Sequence, residues 1–304
     1  MTTSNESPIL VTGAAGEIGS IGRHLTAMLI ARGHKVRAMV RREDERAELL
    51  RQLGAEVVVG DLTSLHDVHR VIEGCKRVYF SMSVSAAYLE ATVNFAAVAR
   101  HHGVEVFVNM SQMTVTGMSI TETTNSPQHK LHWLAEQALE WSGLPVVTVR
   151  PTAFMEGFFL RLAENAVREK DELLLPLGEA RTSPIAAIDV ARSVAAIFDH
   201  PEAHIGKIYN LTGSTSADLE YYAREFSAAL GRTIRYRSVP VDVWSTRLRE
   251  LGVPEFLISH LAVLAELHGE GRFDRMTDDV LYLTGQPPMT MAEFVKQHAA
   301  RFTR

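Results

Sequence analysis

The chain of 304 residues contains one cysteine, Cys75. A lone thiol excludes an internal disulfide and any zinc cage built from cysteine. Aromatic residues make up only 7%, and no excess of positive charge exists: 31 Lys and Arg stand against 36 Asp and Glu, a net charge of −5. That balance gives no basic footprint for nucleic acid as a direct partner. No stretch approaches the ~18 consecutive apolar residues of a membrane span, and Met1 to Pro8 lacks the apolar run of a signal peptide. A soluble, cytoplasmic-type protein is expected, with no membrane partner. What is present is ordinary for a globular chain: 46% hydrophobic and 22% charged. The length suits one large domain, or one large and one smaller.

Strand-like and helix-like segments alternate from the start. Residues 8–12 read as a buried strand running into Gly13. A helical pattern follows through Leu25, Met28 and Leu29, closed by Gly33. Lys35 to Val40 is a second strand, Glu43 to Leu53 a helix, and Ala55 to Val59 a third strand. The beat continues with a helix over 64–73, a strand over 77–80, a helix over 89–102 and a strand over 104–109. Pro127 to Ser142 is a helix, entered through a capping Ser126, and Val146 to Arg150 a sixth strand. The strands are continuous apolar runs, as a parallel sheet buried on both faces requires. This predicts an α/β fold with a doubly wound parallel sheet, a Rossmann domain over 8–152 with further sheet elements to about 211. Beyond Pro151 the rhythm breaks and helices dominate, clearest at 218–230, 242–251 and 255–267. Residues 153–304 are therefore expected to be largely a smaller, mainly helical substrate domain closing over the carboxyl edge of the sheet, where ligands sit.

The strongest chemical signal lies between the first strand and first helix, in Gly13-Ala14-Ala15-Gly16-Glu17-Ile18-Gly19. Gly13 permits a tight turn, Gly16 lets backbone approach a pyrophosphate, and Gly19 allows close packing of a helix whose free amides face the phosphates. Gly22 continues the three-residue beat and suggests a longer loop. The second strand ends in Arg41-Arg42 rather than in the acid that binds a ribose diol. Two guanidinium groups there favour a 2′-phosphate, so NADP(H) is expected ahead of NAD(H). Glu43, Asp44 and Glu45 nearby are the groups able to neutralise them. Asp61 and Leu62 are placed to flank the adenine, and Ser81, Met82 and Ser83 to lie near the middle of the cofactor.

These segments, with Ser142-Gly143-Leu144-Pro145 and Val149-Arg150-Pro151-Thr152-Ala153-Phe154, resemble the NmrA-like atypical short-chain dehydrogenase/reductases over roughly residues 8–211. The likeness is nearest to the NAD(P)H-dependent quinone oxidoreductase type 2 branch. It implies an NADP(H) site and a small carboxy-terminal substrate domain, and the family contains both reductases and regulators that only bind nucleotide. Short-chain reductases typically carry Tyr-x-x-x-Lys on the helix after the fifth strand. Here Gln128 holds the tyrosine position and His132 the lysine position, as histidine does in some quinone-reducing members. Ser111 matches the serine after the fifth strand. An amide cannot act as a general acid at neutral pH, so alcohol–ketone chemistry by the usual triad is not expected.

Gln128, His132 and Glu136 follow at i, i+4, i+8 beside the apolar stripe of their helix. Such a file suits a crevice wall, with His132 at the nicotinamide ribose or a substrate oxygen; it equally suits an edge that meets water. His129, His132 and Glu136 as metal ligands carry little weight, and no metal is expected. His66, His69, His101 and His102 read as surface residues. Phe154 and Phe158 are candidates to line an aromatic substrate pocket, against core packing. The sequence thus predicts an NADPH-dependent oxidoreductase passing hydride to a quinone-like or other conjugated carbonyl or imine acceptor, with His132 and Ser111 at the chemistry. The alternative is a regulator that senses NADP(H) and binds a protein partner. The expected partner is an aromatic or quinone-like small molecule, and a homodimer is the assembly considered.

Overall fold

Successive residues of a strand point to opposite faces, and the first strand shows why helices must cover both sides of this sheet. In β1 (Ile9–Val11) all three side chains are fully buried, Ile9 and Val11 in one apolar cluster and Leu10 in another. The computed structural model describes residues 7–16 and 20–303. Its main sheet adds β2 (Val36–Val40), β3 (Glu56–Val59), β4 (Arg77–Phe80), β5 (Val106–Met110), β6 (Val146–Pro151) and, after a short strand elsewhere, β8 (Ile208–Leu211). Their order is β3-β2-β1-β4-β5-β6-β8, every pairing parallel. Strand order reverses between β1 and β4, which places the topological switch point at their carboxyl ends.

One face is covered by α1 (Ile21–Ala31), α2 (Glu45–Gln52), α7 (Ala187–Asp199) and α11 (Asp279–Thr284). The other is covered by α3 (Leu65–Ile72), α4 (Tyr88–His101) and α5 (Pro127–Trp141). Helix starts follow local chemistry. Asp44 accepts from the Arg46 amide at the head of α2, Ser64 from the Asp67 amide at α3, and Ser126 from the His129 amide at α5. Each satisfies an amide that the first turn leaves without a partner.

Much of the remaining chain forms a second, mainly helical region, here called the smaller domain. A π-helical turn (Glu156–Leu162) and α6 (Glu164–Lys170) lead into β7 (Glu172–Leu175), which pairs in parallel with β9 (Arg235–Ser238). Neither this two-stranded sheet nor the π turn is announced by the sequence, because four-residue runs such as ELLL fit helix and strand alike. The core here is aromatic: Phe159 lies 5.3 Å from Phe226 and 6.4 Å from Phe294 between ring centres. These rings come from the π turn, α8 (Leu219–Leu230) and α12 (Met291–Gln297). Two further helices, α9 (Val241–Glu250) and α10 (Glu255–Gly269), start directly after Pro240 and Pro254. The chain returns to the main layer at α7 and β8, and again at α11, where Val280 is fully buried in the same cluster as Ile9.

Candidate active site

The switch point is pinned by one hydroxyl. Thr12 Oγ1 donates to the Ser81 carbonyl (2.9 Å) and accepts from the Ser81 amide (2.8 Å). The glycine loop after β1 and the loop after β4 are thereby locked side by side. Gly13 has φ +63°, and a Cβ there would stand 3.0 Å from the Ser81 carbonyl oxygen, so only glycine fits. The Gly16 amide donates back to the Gly13 carbonyl at 3.0 Å, closing the turn. Helix α1 then begins at Ile21 with no acidic residue in its first turn and no side-chain cap from Ser20. Amides at such a helix start are the donors a phosphate uses. Glu17, Ile18 and Gly19 lie outside the described residues. Gly22 is the glycine that admits close packing: a Cβ on it would lie 2.6 Å from Ala14 Cα and 2.7 Å from the Gly13 carbonyl oxygen. Ala14 is buried beneath this loop.

At the end of β2 two of the three acids are already engaged. Asp44 binds Arg46 (2.5 Å) and Glu43 binds Arg51 (2.6 Å). Arg42 reaches Asp44 only at 3.4 Å and its side chain is 75% exposed. Among the described residues no carboxylate lies within 4 Å of Arg41. Arg41 still acts at longer range on Asp61, whose carboxyl it helps to lower. Arg46 also donates to the Ala15 carbonyl (3.2 Å), tying α2 to the glycine loop. Sequence reasoning missed it, although its place one turn beyond Arg42, after a capping aspartate, is a readable signal. Asp61 accepts from the Thr63 amide and hydroxyl (2.9 and 2.7 Å), which hold its carboxyl below the usual carboxylate range. Half-buried Leu62 follows it, its carbonyl within reach of the Asn94 amide at 3.4 Å.

The third part of the site lies past β5 and at the head of α5. Ser111 is buried with its hydroxyl unpartnered, and Asn109, at the end of β5, is fully buried with both amide atoms unpartnered. Gln112, Thr114, Gln128, His129 and His132 each leave a buried polar atom without a partner as well. An isolated buried orphan costs about 1–3 kcal/mol, so seven residues with such atoms in neighbouring segments make this the candidate place for a polar ligand. Gln128 Oε1 accepts from the Ser85 amide at 3.1 Å, joining α5 to the loop that carries Ser81, Met82 and Ser83. The helix edge does not meet water: Gln128, His132 and Glu136 are all buried. Glu136 is taken by Arg150, whose Nε donates at 3.0 Å, so the carboxylate of the metal-ligand alternative is already committed.

His132 packs on Tyr88, ring centres 3.9 Å apart, and its Nδ1 has no partner. Burial pushes it down to about 3. It is a neutral imidazole and carries no stand-in for the lysine charge. Tyr88 itself donates to the Met110 carbonyl at 3.0 Å. The smaller domain closes on this end through α10 and the turn after it. Ser126 Oγ lies 2.9 Å from His260 Nδ1, and the His129 and His260 rings meet edge to face at 4.9 Å. Arg272 donates to the Thr116 carbonyl at 3.1 Å. Burial pushes His129 and His260 down to about 2 and about 4. Sequence reasoning missed Asn109, His260 and Arg272. An asparagine ending the apolar run Val106-Phe107-Val108 was the available signal; the other two come from another domain.

Of the aromatic candidates, Phe154 packs against the main core and bridges to Ile185. Phe158 is buried in the smaller domain, 5.5 Å from His268, along an apolar cleft with Trp244 and Leu261. The structure therefore sets the two phenylalanines in different clusters.

A parallel sheet in this order, with a glycine loop opening onto a helix at its switch point, defines a dinucleotide-binding α/β protein. The chain belongs to the NmrA-like family, whose model matches residues 5–295. It is 30% identical to an NAD(P)H azoreductase of Xenophilus azovorans over 97% of this chain and 99% of the relative. Its fold superposes with a TM-score of 0.83 on an NADPH-dependent quinone oxidoreductase of Escherichia coli solved with NADPH, 21% identical, covering 96% of this chain and 99% of that one. It superposes at 0.80 on NmrA, a negative transcriptional regulator solved with NADP, 19% identical, covering 96% and 95%.

Proposed function

We propose that this chain is an NADPH-dependent oxidoreductase whose acceptor is a flat conjugated molecule, quinone-like or a related carbonyl or imine. The observation that carries the reading is the set of unpartnered buried polar atoms from Asn109 to His132, next to a glycine loop whose helix takes no side-chain cap from Ser20. The residues fit a dinucleotide. Gly13, Ala14 and Gly16 would cradle its pyrophosphate, and Arg41 and Arg42 its 2′-phosphate. Asp61 and Leu62 would stand by the adenine, Ser81 to Ser83 by the middle of the molecule, and His132 by the nicotinamide ribose. When bound, NADPH supplies hydride to an electron-poor acceptor.

The chain's own groups do the positioning. Ser111 Oγ is a free hydroxyl able to donate to an acceptor oxygen that gains negative charge. His132, neutral and wedged against Tyr88, offers one fixed nitrogen to a ribose hydroxyl or to the acceptor. Neither it nor the Gln128 amide is an acid at neutral pH, so the proton that completes a hydroquinone comes from water. The buried Ser126–His260 contact and Arg272 hold the smaller domain over this end and limit access of solvent. Phe154 and Phe158 remain candidates for the acceptor's apolar contact.

Purified protein supplied with NADPH and a panel of quinones, azo dyes and imines tests the reading by steady-state oxidation of the nucleotide, followed by its absorbance. Turnover of at least one acceptor class is expected. Tight NADPH binding, seen as thermal stabilisation, with no turnover of any acceptor would refute it. That outcome would favour the nucleotide-sensing regulator, which the glutamine at 128 also suits.

A further inference from the structure

Away from the crevice, three histidines on two helices converge. His69 sits in the last turn of α3, beside the buried Val68 and Val71 that fix which face of that helix meets the sheet. His101 is the last residue of α4 and His102 its C-cap, ended by Gly103 at φ +62°. His102 Nε2 lies 2.9 Å from His69 Nδ1. Their ring centres are 4.8 Å apart, and those of His69 and His101 are 5.8 Å apart. One nitrogen from each of the three rings lies within 4.8 Å of the others.

We propose that His69, His101 and His102 form a binding site for a divalent transition ion of the zinc type. Two nitrogens bound at about 2.0–2.1 Å to one tetrahedral zinc stand roughly 3.3 Å apart. The His69–His102 pair meets that spacing by opening a few tenths of an ångström, and His101 closes the third side by rotation of an exposed ring. The set holds imidazole only. That selects zinc, nickel or copper and rejects magnesium and calcium, which require oxygen ligands. His69 and His101 are exposed and His102 is half-buried, so an ion can enter and water can fill the fourth position. The backbone beneath is fixed: Lys76 Nζ donates to the His102 carbonyl at 2.8 Å and the Gly103 carbonyl at 3.2 Å. His66, also on α3, is outside the set; its Nδ1 lies 3.9 Å from Asp67.

In parallel crossovers the helices run back against the strands, so the carboxyl ends of α3 and α4 lie at the amino edge of the sheet. The ion would clasp these helices at the edge opposite the nucleotide crevice. It should raise stability without competing with NADPH, and it stands whether or not the reductase reading does.

The test is calorimetric titration of untagged full-length protein with zinc chloride, with magnesium chloride as control. One zinc per chain is expected, with a rise in melting temperature and no magnesium binding. His69→Ala and His102→Ala should each weaken zinc at least tenfold, while His66→Ala leaves it unchanged. His101→Ala, an exposed position outside the hydrogen bond, carries the same test should either of the others fail to fold. Copper(II) bound in place of zinc should show the resonance splitting of three nitrogens. Absence of a one-to-one site, or affinity equal to wild type in the His69, His101 and His102 variants, would overturn the proposal.

Discussion

Lowering the pH from 8 to 5 should remove much of this protein's folding stability, and four buried imidazoles are the reason. Burial holds His129 at about 2, His132 at about 3, and His260 and His268 at about 4. Each stays neutral in the folded chain and binds a proton in the unfolded one as the pH falls through about 6.5. The unfolded state then holds more protons, so stability is full above that value and declines below it. For any folded value at or below about 4, the loss at pH 5 is about 2 kcal/mol per group and hardly depends on how far below it lies. Carboxyls raised by burial oppose them: Asp189, Asp279 and, with the largest shift, Glu156. Glu156, accepting from the Ala187 amide at the head of α7, is pushed up to about 7 by burial. Its protonation favours the folded form by about 2–3 kcal/mol over the same window. From the four histidines and Glu156 together the loss is about 5 kcal/mol, as large as the whole stability of a marginal domain. Urea unfolding at pH 8, 7, 6 and 5 measures it, with a slope near pH 5.5 approaching three protons. His260→Asn should lower that slope by about one proton. Glu156→Gln should steepen it by about one and raise stability at pH 8. A urea midpoint unchanged from pH 8 to 5, or a decline confined to below pH 4.5, would refute the reasoning. The same burial bears on catalysis, because none of these rings is an imidazolium at neutral pH.

Three further expectations concern the nucleotide and the acceptor. Gly16→Val should abolish NADPH binding with a native circular dichroism spectrum: among the described residues a Cβ at Gly16 approaches the Gly13 carbonyl oxygen at 3.1 Å, a contact relieved by a shift of a few tenths of an ångström. Gly22→Ala should instead lower the melting temperature, because its Cβ collides with backbone. Retained binding in the Gly16→Val protein would mean that the phosphates lie elsewhere. Arg41→Ala/Arg42→Ala should weaken NADPH by about 10- to 100-fold, the worth of one or two charge-assisted hydrogen bonds of about 1.5–3 kcal/mol each, and leave NADH unchanged; equal loss for both nucleotides in parallel titrations would contradict a 2′-phosphate role. His132→Ala should lower kcat by about 10²–10³ if its nitrogen acts only in the transition state, and raise KM instead if it only binds. His132→Lys would bury an ammonium against Tyr88 and should unfold at a lower temperature. An alanine variant with wild-type kcat and KM would remove His132 from the site.

Much of the architecture was legible because parallel strands declare themselves twice: as continuous apolar runs, and as regular partners of amphipathic helices. The apolar run at 8–12 leading into Gly13 was enough to place β1, the tight turn and the start of the phosphate loop. Arg41 and Arg42 were readable as the end of β2 for the same local reason. Short elements past Pro151 were not legible. The run at 172–175 becomes a strand because β9, some 60 residues later, offers it a parallel partner, and no local pattern encodes that pairing. Nor did the helix period decide whether Gln128, His132 and Glu136 meet water. That depended on Arg150 of β6 binding Glu136 and on Tyr88 of α4 covering His132.

The sequence by itself determined the alternation of strand and helix, the glycine loop between β1 and α1, and the two arginines at the end of β2. These are local properties, set by residues within a few positions of one another. Only the tertiary structure decided that no described carboxylate pairs with Arg41, which helix edge is buried, and that His69 of α3 meets His101 and His102 of α4. Each of those depends on groups tens of residues apart, brought together by burying apolar surface between layers, and that burial has no direction until the whole sheet is formed.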